Sequence, residues 1–590
     1  MDIRTNLVWT LGMLIMTTTP TLTQSLQDQR FEEIAKRFVD EFPALSPVGA
    51  TQLGDHRFDS ELDEVSPQAR HKQAAFIRRY QQELEQIAFD KLSSSNQVDL
   101  ALLRHTLESE LWSQQELEEW AWNPLAYTGL SGGAVYGLMA REFAPLEERL
   151  RHAADRLEKI PRLLEQVRST LVPSRVPKVH AETAVRQNRG LLSILEGMVK
   201  PHLNALPGQE RQRLQAGMKR ASQAVEEHQA WLENDLLPQA KGGFRIGCEL
   251  FEKKLAYSLH TPFSRQEIRQ RTRSEYRRIR HEMYSVGKEI YKDQYPYVEF
   301  PQDPDEAYKQ AVIRAGLEVA YRSLPGRGEI VSLAKQQLQQ ATDFVRQKDL
   351  VTVPDDPVEV ILMPEFQRGV SIAFCDSPGP LDVGQKTFYA VSPIPDSWTD
   401  QQVQSFLREY NTFSMQDLTI HEAMPGHYLQ LALSNRYPST LRALLASGPF
   451  IEGWAVYAEQ MMVEKGYLEG DARMKLINLK WLLRAVTNAM MDEAIHCGDM
   501  SRDEAMRLMI EGGFQEEREA ALKWVRAQLT SAQLSTYFVG YQEHLDLRRE
   551  VGQAWGGRFS LRRYHDQVLS YGSPPVQFVR ALMLGLPVPE

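Results

Sequence analysis

Apolar residues recur every three or four positions along most of this chain, with charged residues between them. FEEIAKRFVDEF (31–42) and RLEKIPRLLEQVRSTLV (156–172) keep that spacing, which gathers the apolar side chains on one face of a helix. The pattern predicts helices from about Gln27 to Glu233, ended or kinked at Pro173, Pro177, Pro201 and Pro207. It resumes from Ser264 to Ser285, from Asp305 to Leu324, and from Thr399 onward. Residues 350–395 change period. VEVILMP, VSIAFC and KTFYAVSP are β-type runs separated by Gly and Pro turns such as SPGPLDVG. The expected fold is therefore mainly α, with a small sheet of about three strands just before a last helical block. The connection LLPQAKGGFRIG, with Gly242 and Gly243, is the best internal boundary. It separates an N-terminal helical region, 25–245, from a second region, 246–590.

The first two dozen residues depart from this pattern. Arg4 precedes the apolar run LVWTLGMLIM, and the Thr-rich TTTPTLTQS follows. That order is the one of a secretory signal, and the run is too short to span a bilayer comfortably. Residues 1–24 are read as a signal peptide, either cleaved near Thr23 or Gln24 or kept as an anchor, and the protein as exported. No later run is long and apolar enough to cross a membrane. A net charge of -10 and a pI near 5.9 argue against a nucleic-acid partner, which would leave a basic stripe. Cys248, Cys375 and Cys497 are too few and too scattered for a disulfide framework or a cysteine zinc site, so all three are expected to be buried and inert.

The chemistry concentrates in His421-Glu422-Ala423-Met424-Pro425-Gly426-His427. Zinc peptidases commonly carry histidines four apart on one helical face. Here they are six apart, which on a straight helix separates them by about 120° of rotation and ~9 Å of rise. Pro425 cannot donate to the carbonyl of His421 and its ring clashes with it. With Gly426 beside it, a kinked or bulged helix is expected, with two residues extruded and His427 returned to the face of His421. A catalytic zinc needs a third protein ligand. Glu452 in IEGWAVYAEQMMVEKG supplies one, and the small Ala455 is expected to let its helix approach. Glu459, seven positions on, and Asp417, four before His421, are candidates to orient the ligands. Glu422 is placed to act as general base on a water. Two histidines and a carboxylate also make an iron(II) site; the adjacent Glu422 favours hydrolysis with one zinc ion.

HEAMPGH (421–427) and EGWAVYAE (452–459) resemble the hallmarks H-E-x-x-P-G-H and E-G-W-A-x-Y-x-E of the domain-of-unknown-function 885 family of bacterial proteins. NPLAYTGLSGGAVYGLMAREFAPLEERL, FRIGCELFEKKL, WLLRAVTNAMMDEAIH, QLSTYFVGYQE and YHDQVLSYGSPPV extend the resemblance over nearly the whole chain after the leader. Many relatives carry a second histidine where this chain has Tyr428. The family is in turn similar to the thimet-oligopeptidase and Taq-carboxypeptidase zinc peptidases. The resemblance implies a large helical zincin-like fold with a deep cleft and a sheet edge able to hold an extended peptide. It implies His421, His427 and Glu452 as zinc ligands, Glu422 as base, and Tyr537 as donor to the oxyanion, with Tyr541 as the next choice.

Asp492 and His496, four apart on a predicted helix, are further candidates to support Glu452 or each other. His565 and Asp566 are candidates for the cleft wall. Arg141 is expected to pair with an acid of the helical region or to read a substrate carboxylate. The reading that unites these residues is an exported zinc metallopeptidase acting on oligopeptides, either an oligopeptidase or carboxypeptidase-like. A non-catalytic peptide-binding protein of the same fold, or an amidase or esterase using the same residues, is the alternative.

Overall fold

The computed structural model describes residues 25–363 and 372–590. The apolar leader lies outside the described residues, as do Val370 and Ser371 of the VSIAFC run. The protein is mainly helical with one three-stranded sheet. The expected prolines mark helix starts. Pro177 and Pro207 cap the helices Lys178–Gln187 and Gly208–Trp231, and Pro173 and Pro201 sit in the first turns of short 3-10 segments. A missing amide hydrogen is harmless there, because the first turn has no intrahelical acceptor for it. Pro161 lies inside the 25-residue helix Leu146–Thr170.

Two large apolar cores form. One gathers residues between Val48 and Ala240, the other residues between Phe251 and Met583. Smaller clusters stitch the two parts together: Leu441 packs with Phe31 and Tyr80, and Phe578 with Val98 and Leu102. Gly242 lies in the connection between them, and its amide bonds the carbonyl of Val176 at 3.0 Å. A side chain at Gly242 would start 1.9 Å from the carbonyl oxygen of Arg175, so this close approach requires glycine.

One cysteine expectation is overturned. Cys248 and Cys497, far apart in sequence, form a disulfide between the start of the helix Cys248–Leu259 and the end of the helix Ala472–His496. Spacing along the chain carries no sign of such a pair. Cys375 is free and half-buried.

The sheet has the order β1-β3-β2. β1 (Val358–Leu362) runs parallel to β3 (Thr387–Val391), and β2 (Ala373–Asp376) runs antiparallel to it. β2 is thus an edge strand. Ser392 donates to the carbonyl of Ile372, so Ile372 and Phe374 turn their backbone groups toward β3. Ala373 and Cys375 turn theirs to the open side. That open side meets the helix Thr412–Glu422.

Candidate metal centre and its cleft

Asn411 caps the helix Thr412–Glu422, its side chain accepting from the amides of Phe413 and Ser414. Nearly every residue of this helix is buried, including Ser414, Gln416, Asp417 and Thr419. Apart from its C-terminal end at the cleft it has no solvent face, and Ser414, Gln416 and Thr419 are spent on internal bonds. The helix ends at Glu422 and a new one, His427–Ser434, begins at the second histidine. The expected bulge is therefore a full break. The Met424–Pro425 peptide is cis. Gly426 donates to Ile420 at 2.9 Å, spanning six residues where a helix spans four, so two extra residues are accommodated. A side chain on Gly426 would start 1.9 Å from the carbonyl oxygen of His421. Glycine is needed for close approach. Trp454 holds the break in place by donating to the carbonyl of Pro425 at 2.9 Å.

The break brings His421 and His427 to one point, their ring centres 4.7 Å apart and nearly perpendicular. Glu452 projects to the same point from the helix Gly448–Glu464. Its Oε2 lies 3.6 Å from Nε2 of His421 and 3.5 Å from Nε2 of His427. One donor atom from each residue lies within 4.8 Å of the others. Oε2 of Glu452 is buried and has no hydrogen-bond partner among the described residues. Two donors held about 2.0–2.2 Å from one ion at the tetrahedral angle stand about 3.4 Å apart. Unpaired buried acceptors at that spacing fit a metal better than they fit each other. Burial alone would raise the Glu452 carboxyl; the facing imidazoles of His421 and His427 outweigh it and hold it well below the ordinary range.

Of the two residues expected to orient the ligands, Glu459 reaches His421 directly, and Asp417 bonds Asn478 instead of a histidine. Nδ1 of His421 meets Oε1 of Glu459 at 2.5 Å, which leaves Nε2 as the free lone pair aimed at the centre. Asp417 lies behind Glu459 and accepts from Asn478 at 3.1 Å. Burial, and then the charge of Glu459, push its carboxyl well above the usual range. A protonated Asp417 can donate to Glu459 and keep it aimed at the histidine. Glu422 points away from His421. Its Oε2 accepts from the amide of Cys375, on the open side of β2, at 3.0 Å. Burial raises its carboxyl, against the positive pull of His421 and His427.

A cleft of about 800 Å³ opens over this centre. Ala373 and Cys375 of β2 form one wall, and the helices Glu517–Leu529 and Thr536–Trp555 bring Lys523, Arg526 and Tyr537 to it. Arg526 donates to the phenol oxygen of Tyr537 at 3.1 Å. Since an arginine can only donate, the hydroxyl hydrogen of Tyr537 is left for another acceptor. Tyr541 is not on the cleft wall. It is buried and gives its hydroxyl to Gln460.

Three other expectations are corrected. Asp492 touches neither Glu452 nor His496; it accepts from the amides of Ala532 and Ser535, ahead of the Tyr537 helix. His496 bonds the carbonyl of Thr530. His565 is fully buried between Tyr457 and the carbonyl of Leu350, and Asp566 caps Thr352, so neither lines the cleft. Arg141 pairs with an acid, but with Asp376 of β2 at 2.6 Å, not with one in the helical region. The Glu452 helix also packs closely on the Tyr537 helix, at Gly453: a side chain there would start 2.2 Å from the backbone of Gly540. Sequence reasoning missed Lys523 altogether. Its signal was present, for Ala520, Lys523 and Ala527 share the inward face of one helix.

A mainly helical body, a three-stranded sheet and a half-buried His-His-Glu cluster under a cleft define the class of molecule. The chain belongs to the family of bacterial proteins of unknown function, DUF885, which matches residues 47–583. It is similar to a candidate lipoprotein of unknown function from Shewanella oneidensis, with 34% identity and a TM-score of 0.79 over 94% of this chain and 99% of that one. A candidate lipoprotein from Colwellia psychrerythraea shares the fold, at 19% identity and a TM-score of 0.76 over 94% and 98% of the two chains. No curated protein matches this chain.

Proposed function

We propose that this protein is a zinc-dependent hydrolase that cleaves peptide bonds of oligopeptides. The observation that carries the reading is the convergence of His421, His427 and Glu452, with an unpaired buried carboxylate oxygen at its centre. These three residues would hold the ion. Zinc supplies Lewis acidity toward a carbonyl and brings the pKa of water down to about 7. The remaining work falls to the chain. An extended peptide pairs with the outward backbone groups of Ala373 on β2, as a strand added to a sheet edge. Glu422, a buried carboxylate with a raised pKa, takes a proton from the attacking water and passes it to the leaving amine. The free hydroxyl hydrogen of Tyr537 meets the carbonyl oxygen as it gains charge. Walls on both sides of the cleft limit entry to unfolded or short chains.

Export fits the same reading. The leader pattern, the Cys248–Cys497 disulfide and the likeness to candidate lipoproteins all favour an oxidising compartment outside the cytoplasm. No described helix is long and apolar enough to cross a membrane.

The test is a substitution of the base. Glu422→Gln keeps the shape and the ligands, so purified protein should retain one zinc per chain while peptide hydrolysis falls at least about 100-fold. A wild-type rate in that variant sinks the mechanism. Wild-type protein that takes up no metal on zinc supplementation sinks the whole reading.

A further inference from the structure

The helix Glu517–Leu529 buries Ala520, Lys523 and Ala527. Packing would put an apolar residue in the middle of that stripe. Lys523 is instead only 5% exposed, and it lines the same cleft as Glu452 and Tyr537. Its ammonium makes no hydrogen bond and no ion pair with any described residue. The two carboxylates whose charge reaches it are already engaged. Glu519 accepts from Arg484 and from Tyr410, and Glu409 accepts from Lys480 at 2.8 Å. Burial and the charge of Arg484 push the Lys523 ammonium well below the ordinary lysine range. Arg484 also keeps one buried guanidinium nitrogen without a hydrogen bond, its nearest acid oxygen being that of Glu409 at 3.8 Å. Arg526 and Arg518 lie on the same wall. A buried lysine facing the cleft, with no protein acid of its own to stabilise its charge, calls for an anion from outside.

We propose that Lys523, supported by Arg484, is a specificity residue that binds a carboxylate of the peptide in the cleft. The carboxylate is the terminal one of the chain or that of an Asp or Glu side chain. A buried ammonium holds such a group by a charge-assisted hydrogen bond that an amide cannot replace. The proposal deepens the peptidase reading, but binding in the cleft does not require cleavage.

The test uses full-length, zinc-free protein and amino-terminally fluorescein-labelled hexapeptides, read by anisotropy. One pair of peptides differs by a free carboxyl or a carboxamide terminus. A second pair, both amidated, differs by an internal Asp or Asn. Wild type should bind the acid member of one pair at least about tenfold more tightly. The pair that shows the preference identifies the source of the carboxylate. Lys523→Met should erase the preference while changing the amide Kd less than about twofold, and Lys523→Arg should keep it. Equal Kd values within both pairs for wild type would overturn the proposal. So would a Lys523→Met variant that weakens acid and amide alike, or one that leaves the preference intact. Because zinc is absent, a wild type that prefers the acid peptide yet never cleaves it on zinc addition refutes hydrolysis and leaves the carboxylate site standing.

Discussion

Glu459 shows how a residue outside the three candidate ligands can set their geometry. Its oxygen at 2.5 Å from Nδ1 of His421 fixes both the ring orientation and the tautomer, so that Nε2 faces Glu452 as a lone pair. Replacing Glu459 by Gln leaves a hydrogen-bond acceptor but removes the charge that makes the imidazole a stronger donor to an ion. Zinc affinity, measured by competition with a chromophoric chelator, should weaken about 10–100-fold. Glu422→Gln should change it far less, because Glu422 bonds the amide of Cys375 instead of a ligand. Equal loss in the two variants would mean that general electrostatics, and not orientation of His421, governs the site.

At the scale of elements, the centre depends on how closely two helices cross. Gly453 follows the candidate ligand Glu452, and Gly540 lies one turn after Tyr537. A side chain on Gly540 would start 1.8 Å from the carbonyl oxygen of Pro449, with Gly453 Cα at 2.8 Å. Backbone stands on both sides, so neither helix can give locally. Gly540→Ala should force the helices apart, destabilise the fold by about 1–3 kcal/mol in urea unfolding, and separate Tyr537 from Glu452 enough to lower kcat in the folded fraction. An unchanged unfolding midpoint would show that the crossing has slack. The contrast with what the sequence discloses is physical. HEAMPGH and EGWA are legible because ligand types and spacing are local, and Pro425 forbids a regular helix wherever it falls. The Gly453–Gly540 approach joins residues in different segments and leaves no period to read. Asp492, His496 and His565 were the right residue types in the wrong surroundings, since only the fold decides which amide or carbonyl each one meets.

Over the whole molecule, the N-terminal helices do more than add mass: they brace the strand that borders the cleft. Arg141 and Tyr136 both bond Asp376 at the end of β2, and Leu381, in the turn after it, donates to the carbonyl of Leu53. None of these pairs, nor the Cys248–Cys497 bond, is visible from spacing, because each joins segments distant in sequence. His56 completes the brace. It stacks on Phe143 and reaches Asp59 at 3.0 Å and Asp382 at 3.3 Å. Burial alone would lower its pKa; the hydrogen bonds to Asp382 and Asp59 outweigh it and push it up to about 9. A pKa raised above that of the unfolded chain, about 6.5, means the folded state holds the proton more tightly. The resulting stability is fully present below about pH 6.5 and is lost as pH rises through about 9. Wild-type Tm should therefore fall across that window more steeply than in His56→Gln, which cannot titrate. Partial exposure of the imidazole keeps the difference to the order of 1 kcal/mol. Thermal unfolding of both proteins at pH 6.5, 8 and 9.5 decides it: parallel slopes would mean that the two carboxylates do not hold a charged His56, and that the brace rests on Arg141 and the backbone bonds alone.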